Sequence, residues 1–148
     1  MRPGQFSRDG FLGLHEDLSE VLATDARTVA EMGLSTTDLA RPLGELLEAA
    51  VRTKKDVVTI GKFRVRIWRF KGTQVCPFSP RPYEEPCPGG NTWMGSFDWE
   101  IRNQETGVRL SGPGLIVHLI GVHAFFEGIQ SSYRVAPSDL ALLLQVGK

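Results

Sequence analysis

Residues 71–91 set the terms on which the rest of the chain must fold. They contain Pro77, Pro80, Pro82, Pro86 and Pro88, followed by Gly89 and Gly90. Proline gives no N–H to a helix ladder or a central strand. No regular element survives that density, so the stretch reads as a stiff, extended surface loop. A loop this long inside a compact domain is either functional or disordered unless something clamps it. Both cysteines of the chain, Cys76 and Cys87, lie in this loop, and each is followed by proline.

A clamp can be sought downstream. Residues 112–128 form the most apolar stretch of the chain and carry His118 and His123, two of its three histidines. The stretch predicts a helix with Pro113 near its start and Gly128 at its end, packing on the sheet through Leu115, Ile116, Leu119, Ile120 and Val122. Two thiolates and two imidazoles are an accepted tetrahedral zinc set, and His-x₄-His falls within the spacing used by zinc fingers. Cys76-Pro77-Phe78-Ser79 and Cys87-Pro88-Gly89-Gly90 each resemble half a zinc knuckle, a tight turn whose N–H groups can bond a thiolate. Cys76, Cys87, His118 and His123 are therefore the candidate ligands of a structural zinc.

Other features oppose that set. Cys-x₁₀-Cys is much wider than the Cys-x₂₋₄-Cys of standard fingers. Two residues five apart stand about 140° apart around an ideal helix, which calls for a distorted turn that Gly121 can supply. The competing readings are unrelated thiols and histidines, or a disulfide or redox pair.

The remainder predicts an α+β fold in a single domain, which 148 residues are enough to build. Residues 1–13 read as an irregular arm pinned by Phe6, Phe11 and Leu12. Residues 14–52 read as a helical hairpin. Its first helix runs from Asp17 to Met32 with Asp25 and Arg27 outward, and Gly33 stops it. The second opens on the capping-box sequence Ser35-Thr36-Thr37-Asp38, with a kink or delayed start at Pro42. This pair has the outline of a helix-turn-helix, but its second helix is acidic, and a plain hairpin is expected.

Residues 57–148 supply an antiparallel sheet of about four strands and two C-terminal helices. Val57–Ile60 and Phe63–Phe70 flank Gly61-Lys62, which suits a type II′ turn. Phe97, Trp99 and Ile101 alternate with polar residues in a third strand. Val108-Arg109-Leu110 returns as a fourth, and Tyr133-Arg134-Val135 is a candidate short strand. A last helix opens at Pro137-Ser138-Asp139 and closes at Gly147.

Net charge is zero, so the whole molecule carries no general attraction for polyanions. Locally, acidic residues crowd 14–50 and basic ones 51–71, and the two regions are expected to neutralise each other. Arg64, Arg66, Trp68 and Arg69 nonetheless form a basic, aromatic strand of the kind that stacks bases and neutralises phosphates.

No apolar run approaches the roughly 20 residues of a membrane span, and the N-terminus lacks a signal-peptide core. A soluble, cytoplasmic protein without a membrane partner is expected. The favoured function is a non-enzymatic binding or accessory protein, with a protein partner and a structural zinc. The alternatives are a single-stranded nucleic-acid-binding protein and a zinc-dependent hydrolase using Glu127 as base.

Overall fold

A four-stranded sheet with two helices before it and two after it makes up the computed structural model, which describes residues 10–72, 74–79, 87 and 96–147. The first helix, α1 (Leu18–Glu31), begins where the Asp17 side chain accepts a hydrogen bond from the Glu20 N–H. The second, α2 (Thr36–Arg52), begins on a full capping box. Ser35 accepts from the Asp38 N–H, and the Asp38 carboxylate accepts from the Ser35 N–H. That box satisfies two N-terminal amides and holds the start of α2 ahead of Pro42. The helix runs through Pro42 from Thr36, so its start is not delayed.

Strands β1 (Val57–Ile60) and β2 (Phe63–Arg69) form the expected hairpin. Gly61 has φ +59° while Lys62 keeps a negative φ, as a type II′ turn requires. Strands β3 (Phe97–Asn103) and β4 (Arg109–Pro113) complete an antiparallel sheet of order β1-β2-β3-β4. Alternation decides its faces. Val65, Ile67, Phe97, Trp99 and Ile101 are buried, and α2 and α4 (Pro137–Leu144) pack on the sheet. Arg64, Arg66, Trp68, Arg102 and Arg109 point to the opposite face and are exposed. The short helix α3 (Ile116–His123) packs mainly against α2 rather than on the sheet as expected, and its Val122 is exposed because it faces away from α2. Among the described residues no helix is long and apolar enough to cross a membrane.

Several expectations need correction. Asp25 does not face outward. It is buried, and its carboxylate takes two hydrogen bonds from the Arg134 guanidinium at 2.7 and 2.9 Å. Pro113 is the last residue of β4 rather than a helix entry. Its ring removes only an N–H, while its carbonyl accepts from Trp99 Nε1 at 2.9 Å. Helix α3 ends at His123, five residues before Gly128, because Ala124 turns into the left-handed region at φ 54°. Tyr133-Arg134-Val135 is not a strand, although the Val135 N–H donates to the Phe126 carbonyl. Helix α4 ends at Leu144 on a left-handed Gln145, two residues before Gly147.

Gly121 lies within the helix, and a Cβ there would sit 3.3 Å from the Ala40 Cβ. Its use is close packing of α3 on α2. Phe11 and Leu12 are buried as the arm's anchors, whereas Phe6 and most of residues 80–95 lie outside the described residues.

Candidate metal centre

The loop and the helix meet. One ligand atom from each of Cys76, Cys87, His118 and His123 lies within 4.8 Å of all the others, and Cys76, Cys87 and His118 are buried. The two cysteines are thiols, with no disulfide between them.

Each part of this cluster has a local origin. Cys76-Pro77-Phe78-Ser79 closes a turn in which the Ser79 N–H donates to the Cys76 carbonyl at 3.0 Å. The Phe78 N–H is directed at the Cys76 sulfur, as in a zinc knuckle. The Ser79 hydroxyl then accepts from the Cys87 N–H at 3.2 Å, tying the two cysteine segments together across the loop. On the other side, His123 is the last residue of α3, where the regular helix gives way to the left-handed Ala124. Its ring stands edge-on to that of His118, with centroids 5.0 Å apart. Phe78 stacks on His123 at 4.2 Å and meets Phe125 edge-on at 5.5 Å, which fixes the imidazole plane. The role of Phe78 was readable only as part of the Cys-Pro-Phe-Ser turn.

The two His123–sulfur distances fit edges of a tetrahedral ion. Bond lengths of about 2.3 Å to sulfur and about 2.05 Å to nitrogen give a sulfur–nitrogen edge of about 3.6 Å. His123 Nε2 lies 3.4 Å from the Cys76 sulfur and 3.2 Å from the Cys87 sulfur, within a few tenths of that edge. Burial keeps these groups neutral, and a bound cation would favour the thiolates instead. Burial, with a smaller push from the Cys87 sulfur, raises the Cys76 thiol to about 11 against the Phe78 N–H that lowers it. Two adjacent thiolates in a dry site are costly alone, and a divalent ion neutralises both. Burial also lowers His123, favouring the neutral imidazole that binds metals. The cluster can hold a metal ion such as zinc.

Glu127 sits four residues past His123. Its side chain is fully buried, and Oε1 accepts from the Ser131 hydroxyl at 3.1 Å. Among the described residues Oε2 has no hydrogen-bond partner. Burial raises this carboxyl to about 8 despite the Ser131 hydrogen bond, with a further push from Asp98.

The residues of the basic strand divide between two places. Arg64, Arg66 and Trp68 share the open face of the sheet. Arg69 does not join them. It donates to the carbonyls of Val51 and Lys55 and approaches the Asp56 carboxylate at 3.4 Å, which anchors the end of α2.

Comparison with known protein families, with curated proteins and with solved structures found no match to this chain.

Proposed function

We propose that Cys76, Cys87, His118 and His123 hold a structural zinc ion, and that the protein is a non-enzymatic binding or accessory protein acting on a protein partner. The convergence of four donors within 4.8 Å carries this reading. Zinc would tie the proline-rich loop to α3, replacing the apolar contacts that residues 71–91 are too poor in hydrophobic side chains to make.

A structural role is favoured over a catalytic one because four protein ligands complete a tetrahedral shell and leave no position for water. Glu127 does not fit the role of base. With its carboxyl raised to about 8 by burial, it is mostly protonated at neutral pH.

Cobalt(II) tests the donor set. Titrated into metal-free protein, it should give the visible bands of a tetrahedral S₂N₂ centre at one equivalent. Cys76→Ser should lose the sulfur-to-metal charge-transfer intensity in part, and the Cys76→Ser/Cys87→Ser double variant should lose it fully. Six-coordinate spectra in the unaltered protein would rule the centre out.

A further inference from the structure

We infer that the open face of the sheet binds single-stranded nucleic acid, with a row of arginines across three strands taking phosphates and Trp68 stacking on a base. The row follows from the register. Arg64 of β2 stands opposite Arg102 of β3, and Arg102 stands opposite Arg109 of β4. Neighbouring strands lie about 4.8 Å apart, so three cationic side chains span about 10 Å in one line. Like charges directly opposite each other destabilise a sheet. A bound anion between them would offset that repulsion.

Two carboxylates share this face with four arginines, Glu100 opposite Arg66 and Asp98 opposite Trp68. Glu100 approaches Arg109 at 4.0 Å. Among the described residues no carboxylate pairs with Arg64, Arg66 or Arg102. Arg64, Arg66, Arg102 and Arg109, with Glu100, line a concavity of about 220 Å³.

The aromatic partner lies along β2. Trp68 is 47% exposed, and the Arg66 guanidinium lies over its ring at 5.7 Å from the centroid. Beside it, Trp68, Asp98, Glu100, Ser111 and Tyr133 contribute to a second concavity of about 250 Å³, which sets carboxylates and hydroxyls next to the ring, donors and acceptors for a base rather than for a phosphate. A line of charges flanked by an exposed indole matches a backbone of phosphates with splayed bases. This surface lies on the sheet face opposite the helices and does not depend on the metal.

The test uses the full chain and fluorescence anisotropy with labelled oligo(dT) and oligo(U) of twelve nucleotides. Binding is expected to weaken with salt, with a log–log slope of about −2 for three phosphates on a single strand. Arg64→Ala/Arg102→Ala/Arg109→Ala should bind at least tenfold more weakly with a slope near zero. Its melting temperature should hold or rise, since charge repulsion is removed. Trp68→Ala should lose about tenfold with the slope unchanged. Arg52→Ala, on α2, should bind as the unaltered protein does. The inference is overturned by no binding at about 100 μM protein in about 50 mM salt, a regime where even weak electrostatic binding is seen. Full binding by the triple variant also overturns it, as does binding to phosphatidylserine vesicles or inorganic phosphate without binding to either oligonucleotide.

Discussion

Glu127→Gln should flatten the fall of stability with pH. In the folded protein burial raises this carboxyl from 4.5 to about 8. Between those values the folded chain keeps a proton that the unfolded chain has released. The contribution of Glu127 to stability is therefore fullest below about pH 4.5, falls as pH rises through the window, and levels off above about pH 8. The slope is about 1.4 kcal/mol per pH unit, a total on the order of 5 kcal/mol. Glutamine keeps the shape and can still accept from the Ser131 hydroxyl, but it has no proton to lose. Near pH 5 the variant should lie within about 1 kcal/mol of the unaltered protein, and near pH 8 it should be several kcal/mol more stable. Urea unfolding at half-unit pH steps, at fixed zinc, gives both curves. Metal-ligand titration affects the two proteins alike, so the difference between the curves isolates Glu127. Parallel curves would refute the reasoning.

Two further substitutions test the latches that position the arm and the helices. Asp25→Ala leaves the Arg134 guanidinium, 15% exposed, without its carboxylate, and should cost about 3–5 kcal/mol by urea unfolding. Asp25→Ala combined with Arg134→Met should recover much of that loss. Glu16 accepts from the N–H groups of Gly13, Ile129 and Gln130. Burial pushes its carboxyl up, but these donors and Arg134 outweigh it and hold the pKa below the ordinary value. Glu16→Ala should therefore lose about 1 kcal/mol at pH 7, since solvent screens this partly exposed site, with less loss in acid, where the unaltered carboxylate is protonated too.

Much of the fold could be read from local chemistry. The Ser35/Asp38 box, the alternation in β2 and β3, and Gly61 in its turn are each decided within a few residues, and the structure follows them. What escaped depends on distant partners. Asp25 looks like a surface residue until Arg134, 109 positions away, reaches it. Pro113 reads as a helix start because its use as a strand end rests on Trp99. The end of α3 carries no signal, since alanine does not favour the left-handed conformation that Ala124 adopts.

The Cys₂His₂ cluster was visible in its residue types and in the His-x₄-His spacing, whereas Cys-x₁₀-Cys gave no such signal. Cys76 and Cys87 approach because Ser79 binds the Cys87 backbone, and His123 reaches them because the helix stops there. Arg102 and Arg109 were missed as partners of Arg64, because only the register of β3 and β4 sets them in line.

The central claim is that the four donors hold zinc, and metal content tests it most directly. Protein purified without chelator should carry about one zinc per chain by plasma mass spectrometry. Cys76→Ser/His123→Ala should carry almost none, since each lost ligand weakens a four-coordinate site. Less than a tenth of an equivalent in the unaltered protein, unchanged after refolding with excess zinc, would contradict the account.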